Sequence, residues 1–284
     1  MSLYDYRKFI ADEFACRRLI RRLRWPEGIR CPLCNHSCIW RMKEKGKTEY
    51  RCKRCNYHFS DISGTIFEKT TTPFSKWIMA IGLFKIGISA NKLKDEIHVT
   101  YETAWKMLRL FRQSITNDAL CNKLSGEVEV DETYFGGKHK GMRGRGAKGK
   151  TAVVGIKERN GKVRSIVVPD VSSDTLRTII KEHVAQKSLV YTDKWRSYNY
   201  TRKDGYYHHR LDHNKKFVRG KTHTQGIEGH WGHLKPTIVA RHRSVSSKYL
   251  QSYLDENDFK FNERKNEDFI SDVIRRLISY PLSR

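Results

Sequence analysis

The sequence predicts an α+β chain of several modules: an N-terminal zinc ribbon, a helical segment containing a helix-turn-helix, and a larger α/β domain on a mixed sheet. Three observations carry this reading. Cys31, Cys34, Cys52 and Cys55 stand as Cys-x2-Cys-x17-Cys-x2-Cys. Residues 73–116 repeat their apolar positions with helical spacing, and from Gly126 the pattern changes to the alternation E-V-E-V-D. At 284 residues the chain can build one sizeable core plus one or two small modules.

Taken in order, residues 3–23 place Tyr6, Phe9, Ile10, Leu19, Ile20 and Leu23 at mixed three and four spacings, which predicts one or two amphipathic helices leading into the ribbon. Arg17, Arg18, Arg21, Arg22 and Arg24 crowd the end of this segment. Such a cluster is either a solvated face or a phosphate contact, and its place beside a zinc ribbon favours the phosphate. In the ribbon, two thiolate pairs on two tight turns can close a tetrahedron around Zn²⁺ with no open position for chemistry. Cys38 lacks a partner two residues on, and Cys16 and Cys121 sit within apolar helical patterns as small core residues. No charged segment followed by an apolar run opens the chain, so a secreted disulfide framework is disfavoured.

Trp77, Ile81, Phe84 and Ile88 mark a first helix, Leu93 and Ile97 a short second, and Ala104, Met107, Leu108, Phe111 and Ile115 a third. Thr100 is the expected N-cap of the third, with Glu102 in its first turn. As a helix-turn-helix, this arrangement would present Tyr101, Glu102, Thr103 and Lys106 to base edges; as a plain three-helix bundle it would only pack.

The last block predicts strands at 127–134, 152–157, 163–168 and 189–192, with a helix starting at Ser173 between the last two, hence a mixed sheet with helices packed on it. Between the first two strands lies KHKGMRGRGAKGK, residues 138–150, with Lys138, Lys140, Arg143, Arg145, Lys148 and Lys150 and no acid. It reads as a flexible loop, or as a clamp on a DNA backbone. Residues 249–277 read as helices closing this domain. The expected division is 1–70, 71–122 and 123–284.

With 56 Lys and Arg against 31 Asp and Glu, the formal charge is +25, which predicts a polyanionic partner, DNA or RNA. No apolar run approaches the roughly 20 residues of a membrane span, so no membrane partner is expected.

Phosphodiester chemistry by two Mg²⁺ ions requires clustered carboxylates. Asp131 sits near the end of the first strand, Asp193 follows the apolar strand 189–192, and Glu228 lies on a helical stretch with Ile227, Trp231 and Leu234. Seven residues on, Lys235 returns to the face of Glu228. Glu127, Glu129 and Glu132 are equally eligible on chemistry alone. His208, His209 and His213 are too irregularly spaced for a persuasive second metal site. His223, His230 and His233 suit DNA contact or packing, and Trp195, Tyr198 and Tyr200 suit core or lid positions.

The ribbon, the helical linker, VDETYFGGK, VYTDKWRSY, HTQGIEGHWGHLK and FNERKNEDF together resemble the zinc-ribbon insertion-sequence transposases with an ISXO-like domain, relatives of the Merlin elements. The resemblance spans nearly the whole chain. It implies an RNase H-like catalytic domain in which Asp131, Asp193 and Glu228 bind Mg²⁺ or Mn²⁺, with Lys235 as the basic residue after the third acid. It also implies binding of double-stranded DNA at terminal inverted repeats and in the target, cleavage of the ends, and strand transfer. A homodimer or larger assembly on DNA is expected, in the cytoplasm with the nucleoid. A non-catalytic DNA-binding regulator and an RNase H-like nuclease are the rival expectations.

Overall fold

The computed structural model describes residues 10–44, 47–116, 123–136, 150–193, 196–211, 223–243 and 245–281. Contacts divide the chain into two compact units, Met1–Ser114 with Asn266–Arg284, and Ile115–Lys265.

In the first unit, helix α1 (Glu13–Arg24) starts at Asp12, whose carboxylate accepts from the N–H groups of Phe14 and Ala15 at 2.9 and 3.2 Å. These are donors the helix itself leaves unpaired. Ala15, Cys16, Leu19 and Ile20 form its buried stripe. The ribbon follows as an antiparallel sheet, β1 (Ile39–Glu44), β2 (Lys47–Cys52) and β3 (His58–Ser60). Its small core is Tyr50 and Phe59 against Cys31 and Cys52. Helix α2 (Phe74–Ile86) begins after Pro73, which offers no side-chain cap; Glu13 of α1 supplies one, accepting from Phe74 N–H and Ser75 N–H at 2.7 and 3.2 Å. Helix α3 (Ala90–Ile97) ends at His98 in the left-handed region, φ 50°, and α4 (Tyr101–Thr116) follows. Thr100 Oγ1 accepts from Thr103 N–H at 3.2 Å, the cap expected there.

The second unit is a five-stranded sheet of β4 (Glu127–Phe135), β5 (Thr151–Glu158), β6 (Val163–Val168), β7 (Leu189–Asp193) and β8 (Tyr207–Leu211). The order is β6-β5-β4-β7-β8. The β4–β5 and β5–β6 pairs are antiparallel, while β4–β7 and β7–β8 are parallel. Helix α5 (Ser173–His183) makes the crossover before β7, capped by the Ser172 hydroxyl. With Leu176 and Ile180 it buries Val128, Val130, Val154, Ile156 and Val190 on one face. Helices α6 (Gln225–His242) and α7 (Ser247–Asn262) cover the other with Ile227, Trp231, Leu234 and Leu250.

The alternation of β4 therefore has an unexpected meaning. A half-buried strand should turn its acids to water, yet Glu129 is only 1% exposed because α6 lies over the acid face. Both faces of this strand are covered.

The expectation that residues 249–277 close one domain holds for α7 and fails for α8 (Phe269–Ser279), which packs on α1 and α2 in the first unit. The Lys85 ammonium lies 5.4 Å from the Phe269 ring centre. The stripe of Phe269, Ile270, Val273, Ile274 and Leu277 dictates that one face be buried, but a stripe of that kind does not name its partner.

Candidate active site and zinc centre

The four ribbon cysteines converge. Their Sγ atoms all lie within 4.8 Å of one another, with Cys34–Cys55 at 3.4 Å, Cys34–Cys52 at 3.5 Å and Cys31–Cys55 at 3.6 Å. A tetrahedron with Zn–S near 2.3 Å has edges of about 3.8 Å, so this donor set fits Zn²⁺. Cys38 is exposed and outside the cluster, and Cys16 is a buried core residue. Cys121 lies outside the described residues.

The arginines of α1 divide by task. Arg24 donates to the carbonyls of Asp61 and Ser63 at 2.7 and 2.5 Å, and Arg17 lies 5.2 Å from the Phe74 ring centre, so these two serve the fold. Arg18, Arg21 and Arg22 line a cleft of about 470 Å³ with Trp25 and with Arg41 of β1. Among the described residues, the exposed Arg22 and Arg41 have no ion pair. On α4, Tyr101 is exposed and Thr103 bonds to Thr100, while Lys106 pairs with Glu102 at 2.7 Å. Lys138, Lys140, Arg143, Arg145 and Lys148 lie outside the described residues.

Two parallel strands align the aspartates. Glu127 faces Leu189 and Glu129 faces Tyr191, so Asp131 and Asp193 each follow two residues beyond the last pair, and the charge of Asp193 acts on Asp131. Helix α6 brings Glu228 in its first turn, held by the Thr224 hydroxyl at 2.8 Å. Burial pushes the Asp131 carboxyl up to about 6, with the charges of Asp193 and Glu228 adding to the rise; N–H groups of Trp231 and Glu132 partly offset it. The three acids thus share one electrostatic site. They are a looser group than the cysteines, whose ligand atoms, alone among the described sets of metal-binding side chains, all lie within 4.8 Å of one another. Hard carboxylate oxygens of this kind, one of them half-buried and reluctant to ionise alone, fit Mg²⁺ or Mn²⁺.

Lys235 comes to the same place. Burial lowers its ammonium pKa, Asp131 works against that, and Lys150 adds to the lowering, so Lys235 stands near both the first aspartate and a second lysine. The Lys235 ammonium is 5.8 Å from the Phe135 ring centre.

The rival acids have other partners. Arg159 donates to Glu129 at 3.0 Å, to Glu127 at 2.7 Å and to the His223 carbonyl at 2.8 Å, with its guanidinium 3.8 Å from the Tyr191 ring centre. The other Glu129 oxygen accepts from Ile227 N–H at 2.9 Å and so caps α6. Gly226 makes room, since a Cβ there would stand 2.7 Å from that oxygen. Glu132 accepts from the buried Tyr198 hydroxyl. Sequence reasoning missed Arg159 and Trp231 as organisers of the site, and nothing local to either residue signals it.

The histidines form no metal cluster among the described residues. His208 is buried, bonded to Thr192 at 2.9 Å and pushed down to about 4 by burial. His209 lies against Tyr191, and His230 bonds to Asp258 at 3.1 Å. His213 and Trp195 lie outside the described residues.

The transposase zinc-ribbon domain family matches residues 11–58, and the ISXO2-like transposase domain family matches residues 123–262, the stretch that holds all three acids. The chain belongs to the ISXO2-like insertion-sequence transposases. A transposase-like protein of Haemophilus influenzae is 32% identical over 117 residues, 41% of this chain and 94% of that one. A protein in transposable element ISH50 of Halobacterium salinarum is 27% identical over 267 residues, covering 87% of this transposase and 90% of its relative. Among solved structures, a pre-cleavage Mos1 transpososome aligns over 71% of this chain and 74% of that one at 12% identity, with a TM-score of 0.28. No described helix is long and apolar enough to cross a membrane.

Proposed function

We propose that this chain is a DNA transposase that cuts the ends of an insertion sequence and joins them to target DNA at a site made by Asp131, Asp193 and Glu228. The observation that carries this reading is the convergence of the three acids, from two parallel strands and one helix, within a transposase family domain. The sheet order, with three antiparallel strands followed by two parallel ones beyond the first, supports an RNase H-like fold. Divalent cations held there would polarise the scissile phosphate and stabilise the attacking and leaving oxygens. Lys235 supplies positive charge for the DNA backbone beside Asp131, with Lys150 close to Lys235.

The zinc ribbon, α1 and the α3–α4 pair are the DNA-binding parts. Arg18, Arg21, Arg22 and Arg41 in the ribbon cleft contact phosphates, and Tyr101, Thr103 and Lys106 on α4 face bases. The basic loop 138–150 adds sequence-independent affinity. Bringing two ends together calls for at least a homodimer on DNA.

The test uses labelled DNA carrying the element's own ends, with Mg²⁺, and compares the native chain with Asp193→Asn. Cleaved and joined product from the native chain alone is expected. Cutting without joining would replace this reading with an RNase H-like nuclease, and tight end binding without cutting in either protein would replace it with a DNA-binding regulator.

A further inference from the structure

We propose that Trp231 is a positioning residue for the first aspartate: its indole N–H holds one oxygen of Asp131 and so sets the orientation in which the carboxylate meets a divalent cation. This rests on the reading that Asp131 binds metal, and deepens it. Trp231 Nε1–H donates to Asp131 Oδ2 at 3.0 Å, and the side chain is 7% exposed.

The approach is built into the sheet. Asp131 pairs in register with Gly155 of β5. A Cβ at Gly155 would stand 2.2 Å from Trp231 Cζ2, 2.5 Å from Cη2 and 2.7 Å from Ile227 Cδ1. The indole thus occupies the volume that any other residue at 155 would fill with its own side chain. On α6, Glu228, Trp231 and Lys235 recur at three and then four residues, so one face of one helix delivers an acid, an N–H donor and an ammonium to the same strand.

A carboxylate with no fixed donor can rotate about its side-chain bonds, and fixing one oxygen removes that freedom before the cation arrives. Groups that hold a ligand in this way are worth roughly 10- to 100-fold in metal affinity. The plainer account is that a buried indole N–H needs some acceptor and Asp131 happens to be nearest. On that account loss of the N–H alters stability and leaves metal binding unchanged.

Mn²⁺ binding to the zinc-loaded full chain, followed by calorimetry and by electron paramagnetic resonance, separates the two. Trp231→Phe keeps most of the apolar volume and removes the donor; Gly155→Ala keeps the donor and displaces it. We expect both variants to bind Mn²⁺ at least tenfold more weakly than the native chain while retaining a cooperative thermal transition, and Asp131→Asn to lose that binding. Native-like Mn²⁺ affinity in Trp231→Phe, with binding lost in Asp131→Asn, would overturn the positioning role and leave the metal site standing. Equal binding by the native chain and Asp131→Asn would instead remove the metal reading on which the proposal rests. Should Gly155→Ala fail to fold, Trp231→Phe decides alone.

Discussion

Asp131 sits in an environment that opposes its charged form. Its carboxyl is raised from 3.8 to about 6, mainly by burial, so the folded chain holds that proton more tightly than the unfolded chain does. Stability from this group is therefore full below about pH 4 and is lost as pH rises through about 6, a swing of at most roughly 3 kcal/mol. Asp255 is raised to about 6 as well and acts in the same direction, whereas His208, lowered to about 4, acts in the opposite one. Comparison with Asp131→Asn isolates the single group. Without divalent metal at pH 8, the variant should melt higher than the native chain by scanning calorimetry. Mg²⁺ should then raise the native melting temperature and leave that of the variant unmoved. Arg159 sets the second residue-scale expectation. It is the cation bonded to the 1%-exposed Glu129 at 3.0 Å. Arg159→Met should cost about 3–5 kcal/mol in urea unfolding, because it leaves a buried charge uncompensated. Adding Glu129→Gln should restore part of the loss.

At the scale of elements, β6 is an edge strand, and edge strands invite pairing with other chains. Helix α7 closes that edge with side chains. Asn262 accepts from Val163 N–H at 2.8 Å, Asp258 from Ser165 N–H at 2.5 Å, and Gln251 from Val167 N–H at 2.7 Å. Alternate residues of the strand meet positions 251, 258 and 262 of the helix, seven and four apart. The helical spacing was legible in the sequence; its match to a strand edge was not, because it depends on how two distant segments dock. Asp258→Ala opens the middle of this edge and also removes the partner of His230. We expect a loss of about 2–4 kcal/mol and a rise in light scattering on mild heating, with a soluble, native-like melt as the contrary result. The helix α6 shows the same dependence on docking. Gly226, Gly229, Gly232 and Pro236 weaken it as an isolated helix, and Glu129, Trp231 and Ile227 hold it on the sheet.

For the whole molecule, the charge of +25 makes DNA affinity strongly dependent on salt. Replacing Arg22 and Arg41 together by Ala should lower the slope of log affinity against log salt by about two, since each lost phosphate contact removes roughly one. An unchanged slope would remove the ribbon cleft from the DNA surface. Chelation of zinc should unfold the ribbon, whose core is little more than Tyr50, Phe59 and the cysteines themselves. The five-stranded unit has its own core and should keep its melting transition, read by circular dichroism, while binding to the element's ends is lost.

The sequence by itself pointed to the four ribbon cysteines, to most of the helices and the first four strands of the large sheet, and to the segments that carry the acids. These follow from spacing and periodicity, which act over a few residues and survive without any tertiary context. On chemistry alone it left Glu127, Glu129 and Glu132 as eligible as Asp131, which the family resemblance singled out; it placed α8 with the wrong unit, and missed β8, whose Y-H-H-R-L lacks the apolar alternation of its neighbours. Only the tertiary structure showed which partners surround each acid. It gave Glu129 to Arg159 and the end of α6, Glu132 to Tyr198, and Asp131 to Trp231 opposite a glycine. A carboxylate becomes a candidate metal ligand through the charges and donors that surround it, and those come from residues as far apart in the chain as 131 and 231.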